Sequence, residues 1–171
     1  VSVFSDLNNL DDISMRTPFA SVCGINEVEL HEYFGEDIRA LASSLHITDE
    51  EASIELKNCY DGYHFVPDCP GVYNLFSLLN TFKYLQMGNY WFETGTPTYL
   101  VKLLKRSNYN LYNMAHTETD ADVLNSLDST STNPIPVIYQ SGYLTIKGYN
   151  REFGTYRLGF PNREVEEGFM K

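Results

Sequence analysis

Apolar residues recur along this chain mostly at helical spacing. Asn26 is placed to cap a helix whose first turn carries Glu27 and Glu29, where negative charge suits the unpaired amide groups. Val28, Leu30, Tyr33 and Phe34 open an apolar face, and Ile38, Leu41 and Leu45 continue it. Gly35 marks a kink or division. Thr48 with Glu51 reads as a capping box for a second helix. Ala52, Ile54, Leu56 and Tyr60 are its inner positions, and Asp61-Gly62 stops it. Asn74 caps a third helix that buries Leu75, Leu78, Leu79, Phe82 and Leu85 and ends at Gly88. Tyr90-Trp91-Phe92 reads as core. Thr96-Pro97 starts a further helix running to about Arg106, with Leu100, Leu103 and Leu104 inside.

Between and after these helices the pattern shortens. Tyr63-His64-Phe65 and Gly71-Val72-Tyr73 read as two extended pieces joined by a turn. Residues 107–133 turn polar and read as a connector, with Leu124 and Leu127 marking a short helix. Ile135 to Gln140 form a short buried helix. Tyr143 to Ile146 alternate as a strand, Gly148 to Gly154 turn, and Thr155 to Phe160 return. Pro161-Asn162 opens a last helix with Val165 and Phe169 on one face. Helix, strand, hairpin, strand, helix is the back half of a winged-helix-like module, its front helices coming from 110–140. The expected fold is mostly α with small β elements (α+β). Residues 1–24 are a connecting loop, 25–110 a helical subdomain and 111–171 a winged-helix-like subdomain. No internal repeat is present.

Composition narrows the function classes. A chain of 171 residues forms one domain or two small ones. A hydrophobic fraction of 43% argues against disorder as the main state. Twelve Lys and Arg stand against 23 Asp and Glu, a net charge of −11 that disfavours non-specific binding to nucleic acid or anionic membrane. Three cysteines, the absence of any N-x-S/T acceptor, and no apolar run long enough for a bilayer together point to a reducing cytoplasm. The opening at Val1 and the stop at Lys171 inside a helical pattern read as edges of a piece of a longer polypeptide.

The motifs of common enzymes are missing. Neither G-x-x-x-x-G-K-[ST] nor G-x-G-x-x-G occurs, nor H-E-x-x-H or G-x-S-x-G. His31, His46, His64 and His116 are scattered, and no catalytic residue is assigned. Cys59, His64 and Cys69 match no common zinc spacing, so no metal site is expected. Asp49-Glu50-Glu51 and the run Glu164, Glu166, Glu167 read as solvated helix faces; Asp11-Asp12 offers a carboxylate pair for acid–base or metal work, and the ordinary exposure of surface acids favours a solvated loop instead. The segment Asn58 to Phe65 is the densest patch of unusual residues. One reading makes Tyr60, Asp61, Tyr63 and Phe65 a partner-binding edge. The other gives Asp61 a turn role and buries the aromatics, and the frequency of Asp-Gly in turns favours it. From Leu111 onward five basic residues face eight acidic ones, and the hairpin holds Lys147 and Arg151 against Glu152. That is weak for phosphate binding and fits a protein contact or an intramolecular regulator better.

Four strings carry a family resemblance: Phe4-Ser5-Asp6-Leu7-Asn8-Asn9-Leu10; Tyr60-Asp61-Gly62-Tyr63-His64-Phe65 followed by Val72-Tyr73-Asn74-Leu75-Phe76-Ser77-Leu78-Leu79; Tyr90-Trp91-Phe92-Glu93-Thr94-Gly95-Thr96-Pro97; and Tyr139-Gln140-Ser141-Gly142-Tyr143-Leu144-Thr145-Ile146 with Leu158-Gly159-Phe160-Pro161-Asn162. In this order the chain resembles the AAA-ATPase-like family found in many gut bacteria, notably Bacteroides-type anaerobes. The resemblance implies a P-loop nucleotide-binding domain upstream, then a helical lid and a winged-helix-like segment, with a PD-(D/E)xK nuclease-like domain downstream. This chain would be the lid and winged-helix part, a regulatory fragment inactive alone. ATP and Mg belong to the parent protein, and none is expected in this fragment. The partners are the P-loop and nuclease-like domains of the same polypeptide. A lid needs one or two cations facing the nucleotide, and Lys102, Lys105 and Arg106 cluster at a helix end. The macrodipole explains basic residues there equally well. The alternatives are a non-enzymatic protein-interaction module docking through the Tyr60–Phe65 patch, and DNA binding through the hairpin.

Overall fold

A computed structural model describes residues 13–94, 102, 104, 117–126 and 133–170. The protein is mostly α with one small sheet. Helix α1 spans Glu27–Leu45, α2 Asp49–Tyr60, α3 Leu75–Tyr84 and α4 Tyr90–Thr94. Strand β1 is Glu118–Thr119, followed by α5 at Ala121–Asn125 and α6 at Ile135–Gln140. The hairpin is β2 at Thr145–Asn150 and β3 at Thr155–Gly159, and α7 at Arg163–Met170 closes the order. The sheet is antiparallel in the order β1-β3-β2. Among the described residues no helix is long and apolar enough to cross a membrane.

The local start signals work as their chemistry dictates. Asn26 and Thr48 both form complete capping boxes, with Glu29 and Glu51 reaching back to the cap amides. Asn74 accepts from the Ser77 amide at 3.2 Å. The departure from helical geometry in α1 falls at Phe34, beside Gly35, and the helix runs on to Leu45. Helix α3 ends at Tyr84, before Gly88, because Leu85 adopts the left-handed conformation at its C-cap.

Two clusters form the core. The first gathers Leu30, Leu41, Leu56, Tyr60, Leu78 and their neighbours between α1, α2 and α3. The second gathers Leu124, Ile138, Leu144, Leu158, Val165 and others around the hairpin, α6 and α7. Phe92 and Leu104 pack into this second cluster. Each fully buried leucine contributes about 1.5–3 kcal/mol.

Several apolar positions face outward instead of inward. Val28, Tyr33 and Ile54 are exposed, as are Leu75, Leu79 and Leu85. On α3 the buried face is Ser77, Leu78, Thr81 and Phe82. The helix is rotated toward its small polar residues because they have buried partners, described below. Leu100, Leu103, Leu127, His116, Thr96-Pro97 and Asp11-Asp12 lie outside the described residues.

Candidate functional site

The segment after α2 draws the two clusters together. Asp61 caps α2, its amide donating to the Lys57 carbonyl at 3.1 Å. Gly62 then adopts φ +103°, and a Cβ there would stand 2.2 Å from the Pro161 carbonyl oxygen. Asp-Gly is therefore more than a turn pair: it allows the backbone of one half to rest on the other. Tyr63 pairs with Val72 through two backbone hydrogen bonds, and Tyr73 donates its amide to Ile25. These are the two extended pieces expected around the loop.

His64 ties this loop to the hairpin. Its amide donates to the Thr145 hydroxyl at 2.6 Å, and that hydroxyl donates to the His64 carbonyl at 3.0 Å. Nδ1 of His64 lies 2.8 Å from the Cys69 carbonyl oxygen, so the proton sits on Nδ1. Cys59 instead accepts from Arg163 at 2.8 Å, and Arg163 also pairs with Glu55. His64 thus contacts the backbone of Cys69, and Cys59 is engaged elsewhere. Among the described residues no group of three His, Cys, Asp or Glu side chains is placed to hold a metal ion.

A bulge aims Lys147 at the same seam. Ile146 pairs with Leu158 and Gly148 with Arg157, which leaves Lys147 outside the ladder. Its ammonium turns onto the Pro161 carbonyl at 3.0 Å. Burial of that end lowers the lysine pKa, against the opposing charges of Asp61 and Glu166. Oδ1 of Asp61 and the hydroxyl of Tyr63 are both buried without a hydrogen-bond partner. Burial pushes the Tyr63 phenol up strongly, while Asn74 and Asn162 nearby favour its ionised form.

A buried tie across the seam is Glu164, which the solvated-face reading of its run had placed in water. It is 1% exposed. Its carboxylate accepts from the Ser77 hydroxyl at 2.9 and 2.8 Å, from the Trp91 amide at 2.8 Å and from the Phe92 amide at 3.5 Å. One carboxylate therefore fastens α7 to α3 and to the first turn of α4. Burial raises its pKa, outweighing these hydrogen bonds, and the charge of Glu93 acts in the same direction. Glu166 and Glu167 are exposed as expected. The available signal was position: Glu164 precedes Val165, whose side chain is in the core, on a short helix with two inward-facing sides.

Beside these ties a cleft of about 390 Å³ runs along the seam. Tyr63, Phe65, Tyr73, Trp91, Tyr139 and Gly142 line it. Trp91 packs on Tyr143 at 5.0 Å and meets Tyr63 edge to face at 6.5 Å. Segments far apart in the chain thus converge on one aromatic cleft.

The residues singled out from the sequence divide. Tyr63 and Phe65 are half-buried and line the cleft, and Asp61 is half-buried beside Lys147. Tyr60 is a correction: it is 0% exposed and offers no surface to a partner. Its hydroxyl donates to the Gly88 carbonyl at 2.9 Å and accepts from Thr81 at 2.8 Å and the Gly88 amide at 3.1 Å. Lys102 is exposed. Lys105 and Arg106 lie outside the described residues. Missed from the sequence were Ser77, Thr145 and Glu164, whose partners are 81 and 87 residues away.

The fold and site define a mostly helical chain of two apolar clusters joined by a polar seam. It is 36% identical over 170 residues to a protein of Azotobacter chroococcum mcd 1 named "Uncharacterized protein in vnfD 5'region". The match covers 97% of this chain and 30% of that relative, so the chain spans under a third of the relative's length. No family model and no solved structure matches the chain.

Proposed function

We propose that this chain is the lid and winged-helix portion of a cytoplasmic AAA-ATPase-like protein. In this reading it is a regulatory segment that changes conformation with nucleotide and has no complete catalytic site of its own. The observation that carries the reading is the Glu164 tie. Apolar packing is non-directional and resists being remade in steps. A buried carboxylate with three donors is made or broken as a unit, which suits an element with two discrete arrangements. Leaving one buried donor unpaired costs about 1–3 kcal/mol, a size that differential nucleotide binding can offset. ATP and Mg would be held by the upstream P-loop domain, with Lys102 as a cation available to face the nucleotide. A downstream nuclease-like domain would receive the motion.

The test compares the purified chain with the longer protein that contains it. The chain alone is expected to hydrolyse no ATP above a mock preparation. In the longer protein, Glu164→Gln is expected to change turnover while nucleotide affinity stays near that of the wild type. Hydrolysis by the chain alone, or unchanged turnover in the Glu164→Gln protein, overturns the reading.

A further inference from the structure

The seam cleft has the size of a small-molecule site, about 390 Å³, and its walls come from both halves of the protein. Aromatic rings dominate it through Tyr63, Phe65, Trp91 and Tyr139. Gly142 leaves bare backbone against Trp91, where a Cβ would stand 3.5 Å from the indole. Polar groups are present at His64 and Ser141, yet among the described residues no Asp, Glu, Lys or Arg lines the cleft. That is a sharp contrast in a chain of net charge −11. A bound anion would lie within a negative molecule with no counter-charge among the described lining residues. A bound cation would leave water without a carboxylate among the described lining residues to meet it. Both losses are large in a partly desolvated space, whereas a neutral ring stacks on aromatic walls without them.

We infer that this cleft binds an uncharged, planar aromatic small molecule of about nucleoside size. The polar groups at its walls orient the edge of such a ring, and the aromatic groups supply the contact area. Because the walls belong to both halves, the occupant binds the closed seam better than an opened one and stabilises it. The site is independent of the ATPase reading and stands if that reading fails.

Trp91 is the single tryptophan of the chain and lies in the cleft, so its emission reports occupancy by the adenosine probes, while calorimetry reads the indole probes, which emit in the same band. The whole chain is titrated with two neutral probes, adenosine and indole, and with their charged counterparts, adenosine monophosphate and indole-3-acetate. Calorimetry runs beside the fluorescence. A saturable response is expected to at least one neutral probe, with its charged counterpart about tenfold weaker or more. Phe65→Ala removes a wall residue that belongs to neither core cluster. It is expected to weaken the neutral probe about tenfold while the thermal midpoint stays at the wild-type value. No saturable response to either neutral probe overturns the inference. So does equal binding of the charged counterparts, or unchanged affinity in Phe65→Ala.

Discussion

The hydroxyl of Ser77 on α3 donates to both oxygens of Glu164 on α7, at 2.9 and 2.8 Å, across 87 residues of sequence. The Trp91 and Phe92 amides complete the set at 2.8 and 3.5 Å. This buried carboxylate explains why α3 turns two leucines outward. Ser77 has to face Glu164, and Leu75 and Leu79 are carried to the surface by the same rotation.

The tie has a pH signature. Burial raises the folded-state pKa of Glu164 above its usual 4.5. The folded protein therefore binds that proton more readily than the unfolded chain. Stability contributed by this group falls as pH rises from about 4.5 through the raised folded value, and is flat beyond it. Glu164→Gln removes the titration. Urea unfolding midpoints of the two proteins, measured from pH 4.5 to 8, should move in favour of the variant as pH rises. A pH-independent difference would show that burial does not govern this carboxylate. Glu164→Ala takes the acceptor from the Ser77 hydroxyl and leaves the Trp91 amide only the Ser77 oxygen at 3.3 Å, and should cost about 2–4 kcal/mol at neutral pH.

Two glycines are required by close approach. Gly62→Ala combines a strained φ of +103° with a Cβ driven onto the Pro161 carbonyl. It should destabilise by about 2–4 kcal/mol. Gly168→Ala would place a Cβ 2.3 Å from the Phe92 ring. Overpacking there should cost about 1–3 kcal/mol. Chemical denaturation of both variants checks this, and wild-type midpoints would refute the contacts.

Tyr60→Phe tests the core assignment of that residue. The substitution keeps the ring and removes a hydroxyl with three partners in the first cluster. The thermal midpoint should fall, corresponding to about 1–3 kcal/mol. An unchanged midpoint would show that these hydrogen bonds contribute nothing to stability.

The three thiols should label in a fixed order. Cys23 is exposed, Cys69 half-buried and Cys59 buried. Burial also pushes the Cys59 thiol pKa up, against the favourable Arg163 contact. Iodoacetamide in native buffer should modify Cys23 first and Cys69 more slowly, with Cys59 reacting only under denaturant. Peptide mass mapping reads the order. Early modification of Cys59 would contradict its packing against Arg163.

How much of this was legible in the sequence depends on the range of each interaction. The caps at Asn26, Thr48 and Asn74 were readable because donor and acceptor lie three residues apart, so local chemistry determines them. The hairpin and the helix after Pro161-Asn162 were readable from alternation and turn residues for the same reason. Leu78 and Phe82 followed from helical period. What period alone does not determine is the rotation of a helix that carries apolar residues on several sides. On α3 the partner chose, and it favoured Ser77 and Thr81 over Leu75 and Leu79. The burial of Glu164, the seating of Gly62 on Pro161 and the turning of Lys147 into the seam all join residues far apart in the chain. The sequence by itself determined most of the helices, the starts of α1, α2 and α3, and the mostly helical class; α4 and β1 were not read from it. Only the tertiary structure decided which polar groups are buried, because the cost of burying one depends on partners that folding brings from a distance.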